Sequence, residues 1–255
     1  MASKKKETIS PHKAVSRAMV LAAGLGKRMR PLTDTMPKPL VPVCGKSLID
    51  YSLDRVAEAG ITEVVVNVHY LADQLEEHLS HRKAPHITIS DERGELLETA
   101  GGIKKAMPYL VAGQSQPEPF LILNSDELWI EGAHPNIERM LEHWNPEQMD
   151  ILLLLASNVA SIGYSGKGDF LMDTLGRLQR RPEGEMAAFV YAGVAIAKPE
   201  LFDDIPAGPV SMNLLFDRAI AKERLYGLRL DGIWLHVGTV EAIAEAEACV
   251  EASTR

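Results

Sequence analysis

Cysteine is scarce: Cys44 and Cys249 are the two in 255 residues. They stand far apart with no CxxC or Cys/His spacing, which argues against a disulfide framework or a structural zinc site and favours a reducing, cytoplasmic compartment. Long apolar runs are missing too. The longest, such as Ile151 to Ala156, are the size of a buried strand, far below the roughly 18 to 20 residues a bilayer crossing requires, so no membrane association is expected. No net positive charge exists to neutralise a nucleic-acid backbone, since the formal charge is -8 and nucleic-acid binding rests on many phosphate contacts. The basic start, MASKKKETISPHKAVSR, is not followed by a separate secretory apolar region, and residues 1–16 read as a loose tail. Internal repeats, hexapeptide arrays and low-complexity linkers are absent as well, which leaves residues 17–255 as one expected domain.

What the chain does have is an ordinary globular composition, 46% apolar and 24% charged, with a strand and helix alternation in its first half. Ala18 to Ala22, residues 64–69 (VVVNVH), His86 to Ser90 and Phe120 to Leu123 are short apolar strands. Between them come a helix after Ser47 that ends near Gly60, a polar helix from Ala72 to His81, and a helix from Gly102 to Met107. Apolar strands separated by helices predict a parallel sheet covered on both faces, an α/β fold. After Asp126 the rhythm changes. A helix at Pro135 to Trp144 and a core strand at Asp150 to Ala156 precede three close strands, Asp169 to Met172, Arg177 to Arg180 and Phe189 to Ala197, around the DTLG turn, which predicts an antiparallel insertion. A helix at Asn213 to Lys222, a strand at Tyr226 to Leu230 and a helix at Val240 to Glu251 complete the expected elements.

The stretch Ala18 to Pro39, AMVLAAGLGKRMRPLTDTMPKP, concentrates the chemistry. A glycine-rich turn after a strand exposes backbone N–H groups, and Gly24 and Gly26 leave room for phosphates to approach. Lys27, Arg28, Arg30 and Lys38 add cations, and Pro31, Pro37, Pro39 and Pro42 stiffen the segment and lower the ordering cost of binding. Neither familiar phosphate loop fits: GxxxxGK[ST] is absent, and GLGKRM lacks the third glycine of a dinucleotide fingerprint, which argues against a dinucleotide-dependent reductase.

The run Gly24-Leu25-Gly26-Lys27-Arg28-Met29-Arg30-Pro31-Leu32-Thr33, continuing to Met36-Pro37-Lys38-Pro39-Leu40, resembles the signature of sugar-1-phosphate nucleotidyltransferases, and residues 18–249 can be laid along that family. The resemblance implies a Rossmann-like, GT-A-like nucleotidyltransferase fold with a mixed sheet, an antiparallel sugar-binding insertion and no C-terminal β-helix. It implies a nucleotide half over about 17–126 and a sugar-phosphate half over about 127–255. It places Leu21, Ala22, Ala23, Gly24, Gly26, Lys27, Arg28, Arg93 and Thr99 on the nucleotide, with Arg28 on the leaving pyrophosphate and Arg93 where a base-reading side chain falls. Lys38 would bridge the α-phosphate and the incoming sugar phosphate. Cations suit the chemistry independently, because in-line attack on phosphorus redistributes negative charge.

Asp126 follows the strand FLILN and so stands where open α/β sheets bind ligands; the resemblance makes it the metal carboxylate. The expected ion is Mg²⁺, with Mn²⁺ or another divalent metal as the alternative. Trp234-Leu235-His236-Val237-Gly238-Thr239 resembles W-x-D-V-G-T, with His236 in the place of a second metal-binding Asp. Glu98-Thr99-Ala100-Gly101-Gly102 resembles L-G-T-A/G-G, with Glu98 replacing Gly at a helix N-terminus that attracts anions. Arg180-Arg181-Pro182 and Tyr191-Ala192-Gly193 stand where relatives have E-K-P and N-A-G. With Gly168 and Asp169, they make Glu98, Arg181, Tyr191 and Gly193 the sugar-phosphate candidates.

The expected partners are an NTP, UTP or GTP, and a sugar 1-phosphate, in a monomer or small homo-oligomer. Within the family the short chain with ETAGG and GDF most resembles the N-acetylmuramate 1-phosphate uridylyltransferases of cell-wall recycling; mannose-1-phosphate guanylyltransferase is the rival. A non-catalytic nucleotide-sugar sensor is the alternative of another class, suggested by the departures at Glu98, Tyr191 and His236.

Overall fold

A computed structural model describes residues 15–253. Of the expected tail, residues 1–14 lie outside the described residues. Val15 is buried in the core and the Ser16 hydroxyl donates to Glu118, so the fold begins two residues earlier than the sequence suggests.

Strand β1 (Arg17–Leu21) lies in the interior of the sheet. Its side chains alternate as a strand must, Ala18 and Val20 entering the core on one face and Met19 that on the other. The prolines after β1 permit only single 3-10 turns, at Lys27–Met29, Leu32–Asp34 and Lys38–Leu40. A hairpin, β2 (Pro42–Val43) and β3 (Lys46–Ser47), leads into α1 (Leu48–Glu58). Ser47 is the residue before α1, but its hydroxyl donates to the Asp50 carboxylate (2.6 Å) and caps no backbone N–H.

Next come β4 (Glu63–Val68), α2 (Ala72–Ser80), β5 (His86–Asp91), α3 (Glu98–Leu110) and β6 (Phe120–Asn124). β5, β4, β1 and β6 pair in parallel in that spatial order. In this register Leu21 lies beside Asn67 on one side and Asn124 on the other. Three adjacent strand ends therefore open at one level.

The second half adds β7 (Glu127–Glu131), α4 (Asn136–His143), β8 (Ile151–Ser157), β9 (Phe170–Met172), β10 (Leu178–Arg180), β11 (Phe189–Ala197), α5 (Asn213–Ala221), β12 (Leu225–Arg229), β13 (Gly232–His236) and α6 (Val240–Ser253). β11 runs antiparallel to β6, β8 and β9, which makes the nine-stranded sheet mixed, and β9 pairs antiparallel with β10. This is the expected insertion. It is attached through a bulge in β11 between Tyr191 and Ala195.

Three differences from the sequence reading bear on the site. α3 begins at Glu98, four residues before the expected Gly102. Gly101 and Gly102 lie inside the helix because both faces are crowded: a Cβ on Gly101 would overlap the Gly208 carbonyl, and one on Gly102 would sit 2.6 Å from the Glu92 carboxyl. A two-stranded sheet of β7 and β13 was not anticipated; it pairs Glu127 with His236 and carries both toward Asp126. The β2/β3 hairpin was not anticipated either.

Candidate active site

The three strand ends and the loop after β1 enclose a cleft of two joined cavities. One, of about 300 Å³, is lined by Leu21 to Gly24, Asn67, Leu96, Thr99, Asn124 and Ser125. The other, of about 430 Å³, is lined by Gly24 to Met29 and Gly238. Gly24, Lys38, Leu96, Glu98 and Asp126 line both.

The loop takes its shape from Gly26. At φ 62° it occupies the left-handed region, and a Cβ there would lie 3.0 Å from both Lys38 Cβ and Thr33 Cγ2, so glycine alone allows Lys38 to close in. The buried Thr33 hydroxyl donates to the Gly26 carbonyl (2.8 Å), and Met29 anchors the turn in the core. Around the Cβ position of Gly24 nothing lies within 4 Å: the backbone here faces open space. Lys27 and Arg28 make no side-chain hydrogen bond or ion pair among the described residues and stand free beside the second cavity.

Lys38 crosses the join to form an ion pair with Asp126. Burial pushes the Asp126 carboxyl up, but the charge and hydrogen bond of Lys38, helped by His236, outweigh it and hold the group below the usual carboxylate range. His236 stands next to Arg28: a Cβ on Gly238 would fall 2.6 Å from His236 Nε2 and 3.4 Å from Arg28 Nη1. Burial depresses the imidazole, with Lys38 and Arg28 acting in the same direction and Asp126 opposing them. Its ring is held by Trp234 (5.2 Å) and, edge-on, by Tyr164 (5.9 Å).

Beneath Asp126, Glu127 accepts from Trp234 Nε1 (2.8 Å) and Asn124 Nδ2 (3.3 Å). Burial and the adjacent Asp126 charge push its carboxyl up to about 8, toward the neutral form. A Cβ on Gly193 would overlap the Glu127 side chain. Gly193 thus makes room for Glu127, and Tyr191, whose hydroxyl proton is held more tightly through burial and the Glu127 charge, lies close by.

Of the residues expected at the acceptor, the structure brings Gly168, Asp169, Arg181 and Tyr191 together, and bonds them to one another. The Asp169 carboxylate accepts the Tyr191 N–H (2.9 Å). Arg181 Nε donates to the Gly168 carbonyl (3.0 Å) and Nη1 to the carbonyls of Glu185 (2.9 Å) and Pro182 (3.3 Å). None of Gly168, Asp169, Arg181, Tyr191 and Gly193 lines the two cavities. Arg93 is not brought to the cleft: its guanidinium pairs with Asp73 (2.6 Å), Glu76 (2.9 Å) and Asp91 (2.9 Å). The Thr99 hydroxyl accepts from Met212 N (2.7 Å) and ties α3 to the 208–212 loop.

Sequence reasoning missed Asn67, Glu92, Glu127 and Tyr164. Asn67 Oδ1 accepts the Ala22 N–H (2.8 Å), and Asn67 Nδ2 donates to the fully buried Glu92 (2.7 Å), which also accepts from Leu97 N (3.3 Å) at the start of α3. This relay fixes the cavity floor. Its one sequence signal is the lone asparagine in VVVNVH. Tyr164 joins the two sides of the cleft, with its ring on His236 and its hydroxyl accepting the Gly168 N–H (3.2 Å).

An open glycine loop with free cations, set against a carboxylate at adjacent parallel strand ends, defines a site for a phosphate-bearing nucleotide. The nucleotidyl transferase family model matches residues 17–253, and the chain belongs to that family. Its reaction class is therefore transfer of a nucleotidyl group from an NTP to a sugar 1-phosphate. The chain is 47% identical over 235 residues to an N-acetylmuramate alpha-1-phosphate uridylyltransferase of Caulobacter vibrioides, covering 91% of this chain and 95% of that one. A second protein of that name, from Neisseria meningitidis serogroup B, is 39% identical and covers 91% and 97%. Among solved structures, the inositol-1-phosphate CTP transferase of T. maritima superposes with a TM-score of 0.73 at 16% identity over 93% of this chain and 97% of its own, a likeness of fold.

Proposed function

We propose that the chain joins the uridylyl group of UTP to N-acetylmuramate 1-phosphate and releases pyrophosphate. The near full-length likeness to the Caulobacter protein supports the substrates. The observation that carries the chemistry is Lys38 paired with Asp126 at the join of the two cavities. There a triphosphate in the second cavity and a nucleoside in the first would share one phosphorus. An oxygen of the sugar phosphate attacks the α-phosphorus, a new P–O bond forms, and the bond from that phosphorus to the oxygen bridging toward the β-phosphate breaks. The attacking phosphate is already ionised, so no general base is needed. Lys38 holds the entering and central phosphates, while Arg28 and Lys27 face the departing pyrophosphate.

The residues present suit Mg²⁺. Among the described residues no group of three or more His, Cys, Asp or Glu side chains converges, whereas Mg²⁺ on a nucleotide needs only one or two protein carboxylates besides phosphate oxygens and water. Asp126 would hold it, and His236 would contact its shell; when bound, the ion neutralises charge on the phosphates. The compartment that suits this reading is the cytoplasm, where two free thiols, Cys44 and Cys249, would stay reduced. No helix among the described residues is long and apolar enough to cross a membrane.

The test is pyrophosphate release across UTP, GTP, CTP, ATP and dTTP against N-acetylmuramate 1-phosphate, mannose 1-phosphate and glucose 1-phosphate, each with Mg²⁺ and Mn²⁺. The expected best pair is UTP with N-acetylmuramate 1-phosphate. A preference for GTP with mannose 1-phosphate would replace this reading by its rival, and tight binding with no turnover would favour the sensor.

A further inference from the structure

Among the described residues, Cys44, Leu71, Glu98 and Glu223 adopt positive φ without being glycine. Glu98 alone among them lines the cleft, at φ 61° on the first residue of α3. A side chain there crowds its own carbonyl, a cost glycine would avoid, and such strain persists where the surrounding structure imposes it, often at binding sites.

What the Glu98 side chain does with that position is the second observation. It is exposed in the cleft and makes no hydrogen bond or ion pair among the described residues. Of the nearby acids, Glu92 is held by Asn67 and Leu97, Asp91 by Arg93 and Asp126 by Lys38, while the exposed Glu95 lines neither cavity. Glu98 also lines both cavities. An ionised carboxylate only accepts hydrogen bonds, and it repels phosphate oxygens. The ligand group that suits it is a hydrogen-bond donor, and hydroxyls are the most numerous donors on a ribose and a hexose.

We propose that Glu98 accepts a hydrogen bond from a sugar hydroxyl held at the join of the two cavities, and thereby selects the substrate. This rests on the reading of the cleft as a site for a nucleotide and a sugar 1-phosphate. Two rings can bring such a hydroxyl, the ribose of the nucleotide and the hexose of the acceptor.

The experiment measures kcat/KM of the wild type, Glu98→Gly and Glu98→Gln. UTP is compared with its 2′-deoxy and 3′-deoxy forms at saturating acceptor, and the acceptor with its 4-deoxy and 6-deoxy forms at saturating UTP. The expectation is that one deoxy analogue costs the wild type about tenfold to a hundredfold, the range for a hydrogen bond to a charged group. Glu98→Gly loses the same factor on the intact substrate and nothing further on that analogue, while its thermal midpoint holds or rises through relief of strain. Glu98→Gln, which retains an acceptor oxygen, falls between. A ribose analogue that responds identifies the nucleotide as the partner, and a hexose analogue identifies the acceptor. If every analogue carries the same penalty in Glu98→Gly as in the wild type, the proposal is overturned. Should the wild type turn over another nucleotide in place of UTP, the substrate assignment fails, and the same comparison on that nucleotide's deoxy forms still decides Glu98.

Discussion

The glycine loop at the cleft and the 164–193 segment, proposed for nucleotide and acceptor, differ in what their polar groups already touch. Around residues 22–38 the Gly24 backbone faces open space, and Lys27 and Arg28 have no hydrogen-bonded or ionic partner among the described residues. Around residues 164–193 the Asp169 carboxylate, the Arg181 guanidinium and the Tyr164 hydroxyl are all bonded to backbone. Free cations and bare N–H groups await anionic oxygens, which a triphosphate supplies. The 164–193 segment is already held in shape by protein bonds, so if it receives the acceptor it would act by preorganised form, its residues moving one another when altered.

Lys38→Ala should make the largest change. Among the described residues Lys38 is the one residue of the loop in an ion pair with Asp126, so its loss would remove charge stabilisation at the proposed reacting phosphorus and leave Asp126 without its partner. Turnover should fall by about a thousandfold, the scale of losing one well-placed group at a developing charge. Steady-state kinetics with circular dichroism checks this; a folded protein with a near-normal rate would mean that the join is not where chemistry occurs.

Arg181→Ala tests the other wall. Its guanidinium supports Gly168, Pro182 and Glu185 through their carbonyls, so the acceptor KM should rise by about tenfold while the UTP KM stays put. Arg181→Lys should not restore it, because one ammonium cannot reproduce a planar fork across three carbonyls. Equal effects on both KM values would dissolve the distinction between the walls.

Glu127 lies under both sides and gives the comparison a pH axis. Its folded carboxyl is raised to about 8 from 4.5, so between those values the folded state holds a proton that the unfolded state has released. Stability contributed by that proton is full below about 4.5 and is lost as pH rises toward 8. Thermal midpoints in EDTA should therefore decline across this window, and Glu127→Gln, which is neutral throughout, should flatten the decline. A slope unchanged by Glu127→Gln would show that Glu127 ionises normally.

The same contrast explains what could be read from the chain. Gly24 to Lys38 was legible because its chemistry is local: glycines, prolines and cations lie within fifteen residues and fold onto one another, as Thr33 onto Gly26. Strands such as β1 and β6 were legible from their apolar runs. The floor was not. Asn67 meets Glu92 across 25 residues, and Glu127 meets Trp234 across 107; no periodicity announces a partner that distant. The ETAGG stretch was read by resemblance as a helix N-terminus, and α3 does begin at Glu98, but that Gly101 and Gly102 make room for the Gly208 carbonyl and the Glu92 carboxyl could not be read from it.

The smallest effect is expected at Arg93, and it bears most directly on how far a resemblance can be carried. The resemblance puts Arg93 where a base-reading side chain is expected; in the fold its guanidinium meets Asp73 and Glu76 of α2 and Asp91 of β5. Exposed ion pairs of this kind contribute little, since water and salt screen them. Arg93→Ala should therefore change the UTP KM by less than about twofold and leave the preference for UTP over CTP and GTP intact. The base would then be held by the strand-end backbone at Ala22 to Gly24 and by Asn67, groups that the Glu92 relay fixes from below. A shift in base preference on Arg93→Ala would mean that the guanidinium leaves its three carboxylates when nucleotide arrives, and the nucleotide side would prove as dependent on rearrangement as the acceptor side is on prior bonding.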